Sequence, residues 1–205
     1  MSHEVGDAGE GRSPNVTWHS GALTREARWQ ALGAAGATVW FTGLPGSGKS
    51  TVAAVVEQRL LDGGQPAYML DGDNLRHGLN GNLGFSDDDR RENMRRTAHL
   101  ARLFADAGVV ALVSLVSPFR EDRDRARALH EEEGLPFLEV WVSTPPEECE
   151  RRDPKGLWAR ARSGELKGLT GVDSPYEEPL RADLEVGGGT PVEEAAAQVL
   201  ELHRR

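Results

Sequence analysis

The chain has 205 residues, of which 38% are hydrophobic and 28% charged, with a formal net charge of −9 and one cysteine. This composition is typical of a soluble globular protein, and the length predicts one domain with extensions rather than two full domains. The negative balance argues against a general nucleic-acid or acidic-membrane binder but leaves room for an anionic small-molecule substrate. Cys149 alone cannot form an internal disulfide, and no apolar run approaches the ~20 residues that span a bilayer, so we expect a reduced, cytoplasmic protein without membrane contact.

Residues 1–15 are rich in Gly, Ser and Glu and contain no apolar stretch of the kind found in secretory signals. We expect a disordered tail there, followed by one domain over residues 16–205. Within it the predicted elements, in chain order, are strand 39–42, helix 50–61, strand 67–70, helix 86–107, strand 109–116, helix 120–133, strand 137–143, helix 146–152, strand 183–186 and helix 191–203.

This alternation of strands and helices predicts an α/β three-layer domain with a mostly parallel five-stranded sheet. Ser86 is the expected N-cap of the long helix, and Gly108 its expected C-cap. Residues 153–181 interrupt the alternation with a stretch rich in Gly, Pro, Lys and Arg. Because a segment of that length inside a compact domain is usually functional, we interpret it as a lid.

The first motif with a chemical meaning is GLPGSGKS at residues 43–50, which fits the phosphate-loop pattern G-x-x-x-x-G-K-[ST] between a predicted strand and a predicted helix. Glycines let backbone N–H groups turn towards phosphate oxygens, and the helix N-terminus adds partial positive charge. Lys49 is expected to reach the β and γ phosphates and Ser50 to ligate Mg²⁺. A simple Gly-rich turn is the alternative, which the flanking elements disfavour. The expected ATP-binding residues are Gly43, Gly46, Ser47, Gly48, Lys49, Ser50 and Thr51.

The guanine signature N-K-x-D occurs at none of the three lysines, which favours ATP over GTP. Those lysines, Lys49, Lys155 and Lys167, are the only ones among 24 basic residues. An ammonium is a compact point charge and a guanidinium a wide planar fork, so three sites that need the compact cation would explain the pattern. Drift in an Arg-favouring genome would explain it equally well.

The second motif, DGDNLR at residues 71–76, follows the second predicted strand, at the edge where doubly wound sheets bind ligands. A kinase acting on a hydroxyl benefits from one carboxylate as proton acceptor and from carboxylates near Mg²⁺. A turn with Asx capping is the alternative. Candidates for binding an anionic acceptor are Arg76, Arg90, Asn93 and Arg120, although the acidic residues at 87–89 equally allow a solvated charged face around Arg90.

Taken together, the motifs resemble those of the adenylylsulfate kinases (APS kinases, where APS is adenosine 5′-phosphosulfate). The resemblance runs from Trp18 to about Thr190. It is carried by residues 43–51, DGDNLRHGLN at 71–80, LGFS at 83–86, DRRENMRR at 89–96, SPFR at 117–120, DPKGL at 153–157, KGLTGVD at 167–173 and PYE at 175–177.

The resemblance implies a P-loop NTPase fold, a homodimer, and transfer of the ATP γ-phosphoryl group, with Mg²⁺, to the 3′-hydroxyl of APS, which yields 3′-phosphoadenosine 5′-phosphosulfate. It implies catalytic roles for Lys49, Asp73 and Ser117, with Ser50 and Asp73 near the metal; Ser117 matches a serine that some members carry as phosphoserine. Phe85 would stack on the substrate adenine. The implied APS-binding residues are Asp73, Asn74, Arg76, Phe85, Arg90, Asn93, Val116, Ser117, Lys155, Gly168 and Leu169.

The chain departs from the family pattern at Leu169, where the family usually has Phe. Stacking on an aromatic ring is worth ~1–3 kcal/mol per base, of which Leu recovers a part by apolar contact. Pro45 and Trp158 replace the family's usual Ser and Tyr without removing a catalytic group. Two alternatives stay open: a related small-molecule kinase with a changed, nucleoside-like acceptor, supported only by Leu169, and a silent ATP-binding regulator, opposed by the intact Lys49, Ser50 and Asp73.

Overall fold

Five strands form one sheet in the computed structural model, which describes residues 16, 17, 19 and 21–204. The strands are β1 (Ala37–Thr42), β2 (Ala67–Asp71), β3 (Val110–Ser114), β4 (Phe137–Ser143) and β5 (Leu184–Gly187). Their order is β2-β3-β1-β4-β5, and all pairings between these strands are parallel. The predicted five-stranded α/β fold is therefore confirmed. The predicted tail at 1–15 lies outside the described residues.

Eight helices accompany the sheet within the described part of the chain. They are α1 (Arg25–Leu32), α2 (Lys49–Asp62), α3 (Gly72–Arg76), α4 (Asp87–Asp106), α5 (Arg120–Glu131), α6 (Pro146–Arg152), α7 (Leu157–Arg162) and α8 (Val192–His203). Sequence periodicity did not predict α1, α3 or α7. None of the residues of α1 is buried, and α3 and α7 span only five and six residues, so none of the three carries an apolar stripe long enough to recognise.

The predicted ends lie within two residues of the observed ones, and the differences at α4 and β3 have a clear structural meaning. Ser86 caps α4 as expected, because its hydroxyl accepts a hydrogen bond from the backbone N–H of Asp89. The C-cap, however, is Ala107; Gly108 is the next residue and takes the left-handed conformation, with φ of 93°. The third strand ends at Ser114 rather than residue 116, so Leu115 and Val116 belong to the turn that follows it.

Apolar side chains cover both faces of the sheet, as expected for a parallel sheet between helices. Val39 and Phe41 of β1 face a core that α2 and α8 complete, while Trp40 between them faces the core under α4 and α5. The carboxyl ends of β1, β2 and β3 thus meet at one edge, where the phosphate loop, the DGDNLR motif and the turn after β3 emerge. No helix in the described ranges is long and apolar enough to cross a membrane.

Candidate active site

A cavity of about 600 Å³ lies at this edge of the sheet. It brings together most of the predicted site residues: Gly46, Gly48, Lys49, Ser50, Thr51, Asp73, Arg76, Phe85, Arg90, Asn93, Val116, Ser117, Lys155 and Leu169 all line it. Five predicted residues are not among its lining residues: Gly43, Ser47, Asn74, Gly168 and Arg120. The first four lie directly behind the lining, and each is hydrogen-bonded to a lining residue. Arg120 instead donates to Glu178 O at 2.7 Å, so the structure does not place it in the cavity.

The phosphate loop follows β1 and requires glycine for steric reasons. A Cβ atom on Gly43 would lie 2.6 Å from the carbonyl oxygen of Val142, and one on Gly46 would lie 3.0 Å from that of Cys149. Gly46 also has a φ of 83°, in the left-handed region that favours glycine. The loop is therefore packed tightly against β4 and α6, which holds its backbone in one path.

Lys49, at the start of α2, ties the two ends of this loop together. Its ammonium donates to the carbonyl oxygens of Gly43 at 2.9 Å and Leu44 at 2.7 Å, and to the hydroxyl of Ser47 at 3.2 Å. Burial lowers the pKa of Lys49 to about 8, although the nearby carboxylates of Asp71 and Asp73 favour its charged form. The loop thus holds a buried cation whose charge a bound phosphate would stabilise.

The carboxylate beside Ser50 is that of Asp71, the last residue of β2. The hydroxyl of Ser50 donates to Asp71 Oδ2 at 2.8 Å and shares a 3.0 Å hydrogen bond with the hydroxyl of Ser114. Asp71 Oδ1 caps α3 by accepting from the backbone N–H of Asp73 at 3.0 Å. The sequence could not separate the roles of the two carboxylates, and only the helical turn of α3 directs them apart.

Oxygen atoms dominate this corner of the cavity, which suits Mg²⁺. The candidate metal ligands are the hydroxyl oxygens of Ser50 and Ser114 and the carboxylate oxygens of Asp71 and Asp73. In the described ranges no group of three or more His, Cys, Asp or Glu residues could hold a metal ion. A Mg²⁺ ion usually binds through one or two carboxylates plus substrate phosphates, so the residues present fit an ion that arrives with its nucleotide.

Two guanidinium groups flank Phe85 on the opposite wall. The guanidinium carbon of Arg76 lies 4.3 Å from the ring centre and that of Arg90 lies 5.9 Å from it. Phe85 is 62% exposed, so its ring is free to contact a ligand. Arg90 also donates to Gly168 O at 2.5 Å and to the hydroxyl of Thr170 at 3.1 Å. Burial lowers the pKa of Arg90, with the like charge of Arg76 adding to the effect.

The turn after β3 supplies the floor of the same region. Ser117 is buried and has a φ of 44°, rare for a residue with a side chain. Its hydroxyl accepts from the indole N–H of Trp40 at 3.1 Å. The same hydroxyl donates to Leu115 O at 3.4 Å, and a phosphoryl group on Ser117 would remove that hydrogen bond because it replaces the hydroxyl proton. A catalytic role for Ser117 stays a prediction. Asn93 is also buried, and its amide oxygen accepts from the side chain of Asn80 at 2.9 Å.

Segment 153–181 folds over the phosphate loop. Trp158 is buried with Leu169, Leu44 and Cys149, and its indole N–H donates to Pro45 O at 3.0 Å. Two residues that depart from the family pattern, Pro45 and Trp158, are therefore in direct contact. The segment also carries Lys155, whose ammonium forms an ion pair with Asp73.

Sequence reasoning missed one cavity residue that joins the phosphate loop to the sheet. Arg152, the last residue of α6, lines the cavity and donates to Gly188 O at 2.8 Å and to Ser47 O at 3.4 Å. Glu148, one turn earlier, accepts a hydrogen bond from Arg152 at 2.7 Å. This i,i+4 pair of opposite charges was the signal in the sequence that could have pointed to Arg152. Exposed helix surfaces commonly show the same spacing, so the pair did not identify Arg152 as a site residue.

Comparison with known proteins agrees with this geometry. A model of the adenylylsulphate kinase family matches residues 35–187. The adenylyl-sulfate kinase of Erwinia tasmaniensis is 51% identical over 191 residues, which make up 93% of this chain and 94% of that protein. The structure of the Mycobacterium tuberculosis APS kinase CysC in complex with AMPPNP and APS is 53% identical, with a TM-score of 0.82 over 84% of this chain and 99% of that one.

A hexameric APS kinase from Thiobacillus denitrificans shows the same fold in a longer protein. It is 30% identical to this chain, with a TM-score of 0.62. The match covers 84% of this chain but 29% of that one.

Proposed function

The chain belongs to the adenylylsulfate kinase family, and from this premise we propose which of its residues transfer the γ-phosphoryl group of ATP to the 3′-hydroxyl of APS. The observation that carries the proposal is one shared cavity. Lys49 and Ser50 of the phosphate loop line it together with Asp73, Phe85 and Arg90 of the acceptor side. A phosphoryl donor and a nucleotide acceptor can therefore meet without a rearrangement of the sheet.

Asp73 is the group that we assign to the acceptor hydroxyl. Its carboxylate takes the proton of the 3′-hydroxyl as that oxygen bonds to the γ-phosphorus, while the bond from phosphorus to the β–γ bridging oxygen breaks and ADP leaves. Lys49 stabilises the negative charge that builds up between the β and γ phosphates. The backbone N–H groups of the phosphate loop hold the phosphate chain in place.

Ser50, Asp71 and Asp73 are the residues that would hold Mg²⁺. When bound, the ion neutralises phosphate charge and orients the phosphates for in-line transfer. The 2.8 Å hydrogen bond between Ser50 and Asp71 brings a hydroxyl and a carboxylate to one point of the cavity, which supports adding Asp71 to the predicted pair.

Phe85 and Leu169 form the two apolar sides of the proposed acceptor site, and Arg90 connects the two stretches of backbone that carry them. Its guanidinium donates to Phe85 O at 3.0 Å and to the carbonyl oxygen of Gly168, the residue before Leu169, at 2.5 Å. The adenine of APS would lie between the two side chains, with Arg76 and Arg90 close to its phosphosulfate. Segment 153–181, which carries Leu169 and Lys155, acts as the lid of this site.

A turnover assay tests the proposal directly. Purified protein is incubated with ATP, Mg²⁺ and APS, and ADP release is compared with that seen with no acceptor and with other nucleoside 5′-phosphates. We expect ADP release that depends on APS, together with a product phosphorylated at the 3′-hydroxyl. Faster turnover with another nucleotide would establish the changed-acceptor alternative, and ATP binding without turnover would establish the silent regulator.

We also propose that residues 16–205 form one P-loop kinase domain, which works as a homodimer in the cytoplasm. Its partners would be the small molecules ATP and APS, and neither nucleic acid nor a membrane. The family resemblance supports a dimer, whereas the related Thiobacillus denitrificans protein is described as hexameric. Light scattering coupled to size-exclusion chromatography decides between a mass of two chains and any other.

A further inference from the structure

A buried arginine behind the cavity wall has no part in the chemistry described so far. We propose that Arg123 of α5 is a positioning residue, which holds the exit of segment 153–181 against the acceptor side of the cavity. This inference rests on the proposed function, because it concerns the binding of APS. It assigns the task to one side chain that touches neither the cavity nor a substrate.

The guanidinium of Arg123 reaches three parts of the fold at once. Its Nε donates to Glu139 Oε1 of β4 at 2.7 Å, and its two terminal nitrogens donate to Ser117 O and Glu177 O, each at 2.6 Å. Arg123 is only 2% exposed. A planar fork can serve three acceptors in different directions, which the single point charge of a lysine cannot do with the same geometry.

The two carbonyl groups that Arg123 joins belong to different walls of the site. Ser117 lies in the turn after β3 that lines the cavity, where its φ of 44° needs support from its surroundings. Glu177 lies near the end of segment 153–181, eight residues after Leu169. The guanidinium therefore fixes the distance between the turn after β3, which lines the acceptor side of the cavity, and the C-terminal end of segment 153–181.

Further hydrogen bonds fasten the same two stretches of chain. The backbone N–H of Glu177 donates to Pro118 O at 2.9 Å, and its side chain accepts from the backbone N–H of Arg120 at 2.8 Å. The hydroxyl of Tyr176 shares a 2.9 Å hydrogen bond with that of Thr42, and its ring lies 5.8 Å from the guanidinium carbon of Arg123. Arg123 is the charged centre of this junction.

Among the residues that the structure describes, Glu139 is the one ion-pair partner of the buried Arg123, and it is itself buried. Removing one partner of a buried ion pair leaves an uncompensated charge, and such pairs often add little net stability over apolar residues. Because the phosphate loop has separate supports in Lys49 and Thr144, whose hydroxyl donates to Ser47 O at 2.8 Å, a fault at Arg123 should affect APS more than ATP.

The experiment compares Arg123→Lys with Arg127→Lys. Arg127 lies one turn further along α5, is 3.7 Å from Glu139 and donates to Asp183 at 2.6 Å, but it contacts neither the cavity nor segment 153–181. We expect Arg123→Lys to raise KM for APS about tenfold while KM for ATP stays within twofold of the wild type. Arg127→Lys should leave both KM values within twofold. Equal changes in both KM values, or none in a folded Arg123→Lys protein, would overturn the proposal.

A second readout does not depend on activity. Trypsin cleavage after Arg160, Arg162 and Lys167, followed by mass spectrometry well below the unfolding temperature, reports how firmly the segment is held. We expect cleavage at least fivefold faster in Arg123→Lys than in the wild type or Arg127→Lys. If the wild type fails to phosphorylate APS, the proposed function fails, while this comparison still decides whether Arg123 anchors the segment.

Tyr176→Phe keeps the test open if Arg123→Lys does not fold. This variant retains the ring beside Arg123 and loses only the hydrogen bond to Thr42. It should raise KM for APS about threefold and accelerate cleavage in the segment. Unchanged values for both measurements would overturn the proposal.

Discussion

The ammonium of Lys155 and the carboxylate of Asp73 form an ion pair across the mouth of the cavity, so that segment 153–181 rests on the proposed catalytic base. Both side chains are about 60% exposed, at 62% and 61%. An ion pair so accessible to water adds at most about 1 kcal/mol to stability, so it can break readily when a substrate competes for either partner. The hydrogen bond to Asp73 raises the pKa of Lys155 above its ordinary value of 10.5, so the pair favours the ammonium form.

The role of Asp73 as a base leads to the first prediction. Asp73→Asn retains size and hydrogen bonding but removes the negative charge, so kcat should fall at least ~100-fold, the scale of a lost general base. The Kd for ATP should change much less. Steady-state kinetics and calorimetric titration with a nonhydrolysable ATP analogue measure the two effects.

Asp71→Asn is the matched control, because this carboxylate bonds to Ser50 and caps α3. It should weaken the Mg²⁺ dependence of the reaction, seen as a higher Mg²⁺ concentration for half-maximal rate. If Asp71→Asn lowers kcat more than Asp73→Asn at saturating Mg²⁺, the two carboxylates have the opposite roles.

Lys155 itself gives the second prediction. Lys155→Met removes a charge that lines the cavity while keeping an unbranched side chain, so KM for APS should rise about tenfold, and the rise should shrink at high salt. Lys167→Met is the control, since Lys167 lies in the same segment but is exposed and not among the cavity residues. A similar effect of both variants would mean that general positive charge, rather than Lys155, attracts the acceptor.

The sequence predicted the frame of this site well because its signals are local. The phosphate loop is a contiguous motif between a buried strand and a helix, and the carboxyl ends of parallel strands meet at one edge whatever the details of packing. The apolar runs of β1, β3 and β4 identified buried strands for the same reason. Most of the candidate residues therefore line one cavity as expected.

The parts that the sequence could not predict depend on contacts between distant residues. Asp71 and Asp73 are two positions apart, and only the turn of α3 sends one to Ser50 and the other to Lys155. Arg123 looks like any other charge on a polar helix until β4 and segment 153–181 fold around it. Of the three lysines, Lys49 and Lys155 line the cavity, whereas Lys167 is exposed and is not among the lining residues.

The third prediction concerns pH and follows from the burial of Lys49, which lowers its pKa from 10.5 to about 8. In the free enzyme the ammonium is lost above about pH 8, so kcat/KM for ATP should fall about tenfold per pH unit there. Bound phosphates favour the ammonium, so the decline in kcat should begin at higher pH. Rate measurements from pH 7 to 10 give the pH profiles of kcat/KM and of kcat. If both quantities decline at the same pH, the assignment of Lys49 as the phosphate-binding cation is contradicted.

Stability provides an independent check on the same group. Between about pH 8 and 10.5 the folded state binds fewer protons at Lys49 than the unfolded state does, so this residue makes the free energy of unfolding rise with pH in that interval. Lys49→Met removes the contribution and, by removing the ammonium, should nearly abolish phosphoryl transfer. Urea unfolding at pH 8 and pH 10 should therefore show a smaller increase, or a larger decrease, in the variant than in the wild type.

The last prediction concerns Leu169, where the chain departs from the pattern of its family. Leu169 is 7% exposed and packs against Trp158, yet it also lines the cavity on the side that Arg90 links to Phe85. Leu169→Phe should place a second ring beside the adenine of APS and tighten its binding by ~1 kcal/mol, the lower end of the stacking scale, which is about fivefold in Kd. The Kd for ATP should not change.

Leu169→Met is the control, because it keeps the volume of the side chain without adding a ring and should leave both Kd values within twofold. Calorimetric titration with APS and with the ATP analogue measures each variant. A Phe variant that binds APS more weakly, in a protein of unchanged thermal stability, would show that the cavity is shaped for a different acceptor. In that case the wild type should prefer another nucleotide over APS in a competition assay, and Leu169 would be a specificity residue rather than a tolerated substitution.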